Sequence, residues 1–211
     1  MTRIYLTRHG QTNWNVQKRI QGQKNSPLTA LGVQQAKALG GYLYRTELNA
    51  IYSSSSLRAI RTAELIRGKR VPDIIPEDDL REINLGSWEG MFYTEIENLY
   101  PEKFNDFWYH PERYVPLDGE TYEALKRRIS NKMEEITKKH QGETVLVVTH
   151  GIVIKTLYTC FRNQSIHEII HSPHPQPACL CIVEKGNGIW NILKWNETEH
   201  YDSLFQTKIR N

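Results

Sequence analysis

The sequence predicts an α/β fold, in which a mostly parallel central sheet is flanked by helices in a three-layer sandwich. Three observations support this prediction. Short β-prone runs alternate with helical patterns along the chain, as they do where crossover helices connect parallel strands. The run Thr144–Thr149 is rich in valine, which is typical of a strand covered on both faces. Near the end of the chain, two strand-like runs flank Lys185-Gly186-Asn187-Gly188, which is a hairpin signal.

The first half of the chain contains three predicted strands and two predicted helices. The strands are short β-prone runs at Ile4–Thr7, Ala50–Ser53 and Val71–Ile75. The first helix is predicted from apolar residues at helical spacing: Leu28, Leu31, Ala36, Leu39 and Leu43. The second helix follows Ser53–Ser56, whose hydroxyls are suited to cap its N-terminus. The apolar positions of this second helix are Ala59, Ala63 and Ile66.

The second half begins with the clearest helical pattern in the chain, starting near Gly119-Glu120-Thr121. Its apolar residues recur every three or four positions: Tyr122, Leu125, Ile129, Met133 and Ile136. The strand Thr144–Thr149 follows, and Ile152–Phe161 is predicted to be helical. The strands of the hairpin are predicted at Cys179–Glu184 and Ile189–Trp195.

An aromatic segment at residues 88–114 interrupts this alternation of strands and helices. It contains nine of the chain's 21 aromatic residues, and Pro101 and Pro111 punctuate it. No single period organises these residues, so we expect an inserted helical lid at about residues 87–118 of a single domain spanning residues 1–211. The aromatic residues either form a small core of their own or partly line a substrate pocket, and the sequence leaves both interpretations open.

Composition excludes several classes of protein. The 211 residues, 39% hydrophobic and 24% charged, are typical of a globular domain rather than of disorder, collagen or coiled coil. A net charge of +3 without a long basic block predicts no nucleic-acid partner. No apolar run approaches the roughly 20 residues that span a bilayer, and no signal peptide is evident, so we expect no membrane association and a cytoplasmic location. The cysteines, Cys160, Cys179 and Cys181, show no metal spacing and are expected to be buried free thiols.

Two segments share one layout, in which a β-prone run ends in a histidine followed by a glycine. The first ends in His9-Gly10, and the second ends in His150-Gly151. The carboxyl ends of parallel strands meet at one edge of a sheet, where α/β proteins bind ligands, and glycine lets the backbone approach a ligand closely. We therefore expect both histidines at one site, although each alone is also consistent with a hydrogen-bonded turn residue.

Charged residues near the predicted strand ends suit a phosphate ligand. Arg8 adjoins the first histidine, and Arg58 lies at the start of the helix after Ser53–Ser56. A planar guanidinium binds two phosphate oxygens at once, and a helix N-terminus adds partial positive charge. Glu82 is a lone acid in the run Leu80-Arg81-Glu82-Ile83. From the local sequence alone, Arg58 is also consistent with a surface charge, and Glu82 with a salt-bridged residue at the sheet edge.

The loop His171–Pro177 contains two histidines and three prolines. Its histidines either border the pocket or belong to a rigid loop before the Cys179 strand. The prolines favour the rigid loop.

Five blocks of sequence follow one another in an informative order. They are Arg8–Asn15 continued by Arg19-Ile20-Gln21-Gly22 and Pro27–Gly32, then Ser53–Ala59, Leu80–Gly90, Gly119-Glu120-Thr121 and Thr149-His150-Gly151. Together these blocks resemble the histidine phosphatase superfamily, whose best-known branches are the cofactor-dependent phosphoglycerate mutases and the broad-specificity phosphatases. The resemblance runs from residue 4 to about residue 195. One Arg-His-Gly triplet is weak evidence, whereas five ordered blocks are strong evidence.

The resemblance implies a role for each matching residue. His9 would be the nucleophile that becomes a phosphohistidine, and Glu82 would donate a proton to the leaving group. Arg8, Arg58 and His150 would hold the phosphoryl oxygens. The substrate would contact the following residues: Arg8, Asn15, Gln21, Gly22, Arg58, His150 and Gly151. No metal or cofactor is implied, because two guanidiniums and a second imidazole supply the positive charge that phosphoryl transfer requires.

The resemblance also implies the reaction, which is hydrolysis of small phosphate monoesters with broad specificity. Mutases of this family carry a longer insertion after the acid, with a tyrosine and paired arginines, whereas here Glu82–Gly90 runs directly into the aromatic segment without an arginine pair. The alternatives are a narrow phosphatase for α-ribazole phosphate, phosphoserine or a sugar bisphosphate, and a phosphoglycerate mutase. A non-catalytic phospho-ligand binder is disfavoured, because the catalytic set is complete. The sequence marks no self-association surface and so gives no oligomeric state.

Overall fold

A six-stranded sheet lies at the centre of the protein, of which the computed structural model describes residues 1–201. The strands are β1 (Thr2–Arg8), β2 (Ala50–Ser54), β3 (Ile74–Glu77), β4 (Thr144–Thr149), β5 (Leu180–Gly186) and β6 (Ile189–Glu197). They are arranged in the order β3-β2-β4-β1-β5-β6. The first four in this order are parallel, whereas β5 is antiparallel to β1 and β6 is antiparallel to β5. The predicted α/β class, with a mostly parallel sheet and a hairpin at one edge, is confirmed; residues 202–211 of the predicted domain lie outside the described residues.

Helices cover both faces of this sheet. The helices of the described residues are α1 (Asn13–Val16), α2 (Ala30–Tyr42), α3 (Leu57–Arg67), α4 (Tyr93–Leu99), α5 (Pro101–Tyr109), α6 (Tyr122–Lys139) and α7 (Gly151–Phe161). Apolar residues of α2 and α3 pack into one core cluster, and those of α6 and α7 pack into the other. Short 3₁₀ turns at Asp78–Leu80, Gly86–Trp88 and Ile166–His171 connect these elements.

The strand β4 lies between the two core clusters. Val145 and Val147 pack with α6 and α7, whereas Leu146 and Val148 pack with α2 and α3, and all four side chains are fully buried. Each such burial contributes roughly 1.5–3 kcal/mol relative to exposure. Helices on both faces therefore require an apolar residue at each of the four central positions of β4, which is why this run does not alternate.

The third strand begins later than the sequence predicts. The prediction placed it at Val71–Ile75, but Val71 is 87% exposed and the strand begins at Ile74. Because β3 is an edge strand, Pro76 can lie within it without breaking the pairing of a central strand.

Helix N-termini show where local sequence rules hold and where they do not. Thr29 caps α2 by accepting a hydrogen bond from Gly32 N, and Thr121 caps α6 in the same way through Ala124 N. The predicted serine cap of α3 is only partly correct. Ser56 occupies the N-cap position, but its hydroxyl makes no capping hydrogen bond.

The aromatic segment (residues 88–114) folds into α4, α5 and their flanking turns. Trp88, Phe107 and Tyr114 pack with Tyr122 of α6, with ring centroids 5.0–5.9 Å apart. The Tyr122 hydroxyl also donates a hydrogen bond to Phe107 O at 3.0 Å. These rings therefore join the main core instead of forming a separate one. Tyr93, Phe107 and Trp108 line a pocket, so the interpretation as pocket lining holds for part of the segment, whereas the interpretation as a separate small core was wrong.

The cysteines are free, but they are not equally buried. Cys179 and Cys181 are buried as predicted, whereas Cys160 on α7 is only partly buried. Within residues 1–201, no helix combines the length and the apolarity needed to cross a bilayer.

Candidate active site

The carboxyl ends of β1 and β4 bring the two predicted histidines together. These strands are neighbours with Arg8 opposite Thr149, and His9 N donates a hydrogen bond to Thr149 O at 2.9 Å. His150 directly follows β4, and its ring centroid lies 5.2 Å from that of His9. The expectation that both histidines lie at one site therefore holds.

Gly10 is required by the close approach of the first turn of α2. A Cβ atom at this position would lie 2.5 Å from Gly32 O, so any side chain would displace the start of α2. Gly10 N donates a hydrogen bond to Thr62 Oγ1 at 3.0 Å. These contacts fix the turn that carries His9.

The His9 ring is held in one orientation and is uncharged near neutral pH. Its Nδ1 lies 2.8 Å from Gly10 O, and because a carbonyl oxygen only accepts, Nδ1 carries the proton. Burial, followed by the charges of Arg58 and Arg8, lowers the pKa of His9 well below its ordinary value of about 6.5. The Nε2 atom of His9 therefore has a free lone pair.

Arg58 is buried at the start of α3 and holds a neighbouring turn. Its Nη2 donates to Gly22 O at 2.7 Å, and its Nη1 donates to Lys24 O at 2.6 Å. Burial lowers the pKa of Arg58 to about 10, which leaves the guanidinium charged at neutral pH. The buried Arg58 Nε makes no hydrogen bond within the described residues. The fixed charge of Arg58 thus lies in the wall of the pocket that contains His9.

Arg8 lines the same pocket. Its Nη1 donates to Pro175 O at 2.8 Å, which ties the loop at residues 171–177 to the end of β1. Its Nε lies close to Gly151, where an added Cβ would be 3.5 Å away. Arg8 therefore lies against the N-terminus of α7, where backbone N–H groups add partial positive charge.

His150 lies behind the pocket surface rather than on it. Its Nδ1 is 3.0 Å from Arg58 Nη2, and since a guanidinium only donates, Nδ1 accepts. Its Nε2 consequently carries the proton and donates to Ser54 Oγ at 2.7 Å. Burial first, then the nearby cations, lower the pKa of His150 well below its ordinary value. In this arrangement His150 orients Arg58, and direct contact between His150 and a phosphoryl oxygen stays a prediction.

Glu82 is placed at the N-terminus of α7. Its Oε2 accepts a hydrogen bond from Ile152 N at 3.1 Å, and its Oε1 accepts one from Ile83 N at 3.0 Å. Burial raises the pKa of Glu82 above its ordinary value, although these hydrogen bonds and the charges of Arg58 and Arg8 oppose the shift. The Glu82 carboxyl is therefore protonated to a larger extent in this pocket than it would be in water. A general acid must carry such a proton.

These groups surround a cavity of about 80 Å³. It is lined by Arg8, His9, Asn15, Arg19, Ile20, Gln21, Gly22, Arg58, Glu82, Leu85, Tyr93, Phe107, Trp108, Gly151, Ile152, Lys155 and His174. The predicted site residues lie in this lining, with the exception of His150. Among residues 1–201, no cluster of three or more histidine, cysteine, aspartate or glutamate side chains is arranged to hold a metal ion.

The turn that carries Gln21 and Gly22 is fixed by a buried acid. Glu89 accepts hydrogen bonds from Gln23 N at 2.8 Å and from Lys24 N at 3.0 Å. Gly22 has φ of +49°, and a Cβ on it would collide with the Glu89 carboxylate. Glycine is therefore required at position 22, because a larger residue could not adopt this backbone conformation beside Glu89.

Three basic lining residues were not assigned to the site by the sequence. Arg19 lies with its guanidinium 3.8 Å from the centre of the Phe92 ring, and Lys155 extends from the second turn of α7. His174 lines the pocket, whereas His171 is exposed outside it, so the preferred interpretation of the 171–177 loop as merely rigid was wrong for one histidine. The usable signal for Lys155 was its spacing, four residues after Gly151 on the same helix.

The family follows from comparison with known proteins. The family model of the histidine phosphatase superfamily (branch 1) matches residues 4–198, and the chain belongs to this superfamily. The predicted family, fold class and class of enzyme, a phosphatase, are confirmed.

Relatives and solved structures agree with this assignment. The chain is 34% identical to the metal-independent phosphoserine phosphatase of Arabidopsis thaliana, over 97% of this chain and 85% of that protein. It is 32% identical to the uncharacterised phosphatase PhoE of Bacillus subtilis, over 98% of this chain and 100% of that protein. The structure of Bacillus stearothermophilus YhfR superposes with a TM-score of 0.94 at 40% identity, over 96% of this chain and 100% of that one.

Proposed function

We propose that this phosphatase hydrolyses small phosphate monoesters through a covalent phosphohistidine at His9. One observation carries the proposal: Nδ1 of His9 is tied to Gly10 O, so its Nε2 is a free nucleophile in a pocket walled by Arg8 and Arg58. Glu82 lies in the same pocket with a raised pKa. The site therefore contains a nucleophile, an acid and fixed positive charge.

The fixed charge suits a phosphoryl group in transfer. Such a group spreads negative charge over three equatorial oxygens, so catalysis depends mainly on positioning and electrostatic stabilisation. Arg8 and Arg58 supply two full charges, and the N-terminus of α7 supplies partial charge from backbone N–H groups. His150 holds Arg58 from behind. We propose that the phosphoryl group binds between these groups without a metal or cofactor.

In the first step, Nε2 of His9 attacks phosphorus and the bond from phosphorus to the ester oxygen breaks. The carboxyl proton of Glu82 passes to the departing oxygen, which leaves as an alcohol. The phosphoryl group is then bonded to His9, and Glu82 is a carboxylate beside Arg58 and Arg8.

In the second step, water attacks the phosphorus and gives a proton to Glu82. The bond between phosphorus and Nε2 breaks, which releases inorganic phosphate and restores neutral His9. The raised pKa of Glu82 makes it both an acid for the first step and, once ionised, a base for the second.

We further propose that several leaving groups are accepted. The pocket beyond the phosphoryl site is lined by Tyr93, Trp108, Phe107 and Ile152, which offer contact surface without a dense set of directional polar contacts. We place the enzyme in the cytoplasm, which the three free thiols support.

The direct test is release of inorganic phosphate from p-nitrophenyl phosphate in the presence of EDTA. We expect release by the unmodified protein, none above background by His9→Ala, and ordinary rates from His171→Ala, which removes an exposed histidine outside the pocket. Absence of release, or a strict requirement for a divalent metal, would contradict the mechanism. Interconversion of phosphoglycerates without net phosphate release would identify a mutase instead.

A further inference from the structure

One wall of the pocket carries a cation that the phosphoryl chemistry does not use. Lys155 lies on α7 one turn beyond Gly151, the residue beside Arg8 and Glu82. It therefore lines the same pocket as those groups, outside the set of residues assigned to the phosphoryl group.

The Lys155 ammonium has no protein partner among residues 1–201. No carboxylate lies within ion-pair distance of it, whereas the buried Lys132 of α6 pairs with Glu77 and Glu135. Burial alone lowers the pKa of Lys155. A partly desolvated cation without a counter-ion is costly, and an anionic ligand would remove that cost.

His174 extends the same wall and is held in place by backbone contacts. Its carbonyl accepts a hydrogen bond from Asn196 Nδ2 at 3.0 Å, and the adjacent Pro175 O accepts one from Arg8 at 2.8 Å. Burial, and then the charges of Arg8 and Lys155, lower the pKa of His174, so its ring is neutral at pH 7 and available as a hydrogen-bond donor. The loop therefore places His174 next to Lys155 at the same pocket.

The pocket contains more positively charged side chains than are needed to bind a phosphoryl group. Its lining contains four permanently or ordinarily cationic side chains, Arg8, Arg19, Arg58 and Lys155, against the single acid Glu82. Two of the arginines, Arg8 and Arg58, face the phosphoryl position. The Arg19 guanidinium is already engaged, because it lies on Phe92 and donates to Gly90 O at 2.8 Å. Lys155 is left to meet a charge on the leaving group.

Among the leaving groups that the pocket accepts, we propose that Lys155 favours those that carry a carboxylate, by pairing its ammonium with that carboxylate beside His174. This inference rests on the phosphatase function proposed above. The single point charge of an ammonium matches the single charge of a carboxylate, whereas a second phosphate is better held by an arginine fork.

The test compares two substrates that differ by one carboxylate, O-phosphoserine and O-phosphoethanolamine. The measured quantity is the ratio of their kcat/KM values in the unmodified protein, Lys155→Met, Lys155→Arg and the control Lys139→Met. The control removes the same charge from an exposed position of α6. Turnover of p-nitrophenyl phosphate reports separately on the phosphoryl site.

We expect the unmodified protein to prefer O-phosphoserine, and Lys155→Met to reduce that preference about 10- to 100-fold, mainly through KM. Lys155→Arg should restore most of the preference, and Lys139→Met should not alter it. An unchanged ratio in Lys155→Met, or equal losses for both substrates, would overturn the inference while leaving the phosphatase function intact. Failure of the unmodified protein to hydrolyse p-nitrophenyl phosphate would instead overturn the proposed function, and this inference with it.

Discussion

At the scale of single residues, the site depends on two pKa values that shift in opposite directions. Burial and two guanidiniums keep His9 neutral, while burial favours the protonated form of Glu82. Both shifts have the same main cause, which is removal of an ionisable group from water. The same low-dielectric pocket thus prepares a nucleophile and an acid a short distance apart.

The acid role of Glu82 predicts a dependence on the leaving group. Glu82→Gln keeps the shape of the side chain but removes its proton donor. We expect kcat for an alkyl phosphate to fall about 10²- to 10⁴-fold, because the alkoxide departs without a proton. With p-nitrophenyl phosphate the loss should be much smaller, since nitrophenolate needs little protonation. Steady-state kinetics with both esters measure this difference, and equal losses would remove Glu82 from the acid role.

At the scale of secondary-structure elements, the site is assembled from strand ends and helix N-termini. The ends of β1 and β4 supply His9 and His150, the start of α3 supplies Arg58, and the start of α7 receives the Glu82 carboxylate. A longer-range element is the turn at residues 22–24, whose carbonyls accept hydrogen bonds from Arg58. Arg58 is thus positioned by a segment more than thirty residues away in the sequence.

That turn depends on Glu89, which predicts a positioning role for a residue outside the pocket. Glu89→Gln places an amide group toward the N–H donors of Gln23, Lys24 and Leu85, so at least one buried hydrogen bond is lost. The penalty is roughly 1–3 kcal/mol. Loss of this hydrogen bond loosens the turn that holds Arg58. We therefore expect the inhibition constant of inorganic phosphate to rise about tenfold.

The matched control for this experiment is Glu95→Gln. Glu95 also accepts a backbone hydrogen bond, from Phe92 N at 2.7 Å, but it is exposed at the start of α4. We expect this variant to bind phosphate like the unmodified protein. Equal phosphate inhibition in Glu89→Gln and in Glu95→Gln would show that Glu89 does not position Arg58.

At the scale of the whole molecule, the neutral histidines link the site to stability. In the unfolded chain, His9 takes up a proton as the pH falls through about 6.5, whereas in the folded protein its pKa is much lower. The unfolded state then binds more protons, so the free energy of unfolding decreases as the pH falls below about 6.5 and is unaffected above about 7.5. The slope is at most about 1.4 kcal/mol per pH unit for each such histidine.

This prediction is checked by urea unfolding between pH 5 and pH 8 in buffers without phosphate, because a bound anion would itself stabilise the fold. His9→Asn should flatten the pH dependence by up to about 1.4 kcal/mol per pH unit, whereas His171→Asn, at an exposed position, should not. The raised pKa of Glu82 acts in the opposite sense, and comparison between variants removes its contribution. Identical slopes in both variants would mean that His9 is not held neutral by the fold.

Much of the architecture could be predicted because it follows from local patterns. The unbroken apolar run of β4 and the helical spacing of Leu125, Ile129 and Met133 reflect the faces that these elements bury. The predicted ends of strands were wrong where contacts with other strands determine them. The start of β3 is set by its pairing with β2. The first paired residue of β3 is Ile74, and the β-prone Val71 lies before it.

The site was predictable to the extent that strand ends and family blocks mark it. The placement of His9, Arg58 and Glu82 follows from those signals. The inward position of His150, and the contributions of Lys155 and His174, do not, because they depend on contacts such as that between Arg8 and Pro175, which are 167 residues apart. A sequence pattern does not encode such a contact locally.

The central claim is that His9 Nε2 accepts the phosphoryl group. The most direct measurement mixes the protein with a ³²P-labelled phosphate ester, quenches it in alkaline detergent within one turnover, and locates the label by peptide mapping. We predict a label on His9 that is stable to base and labile to acid, and none in His9→Ala. Phosphate release without such a label at any time point, or a label on another residue, would contradict the account.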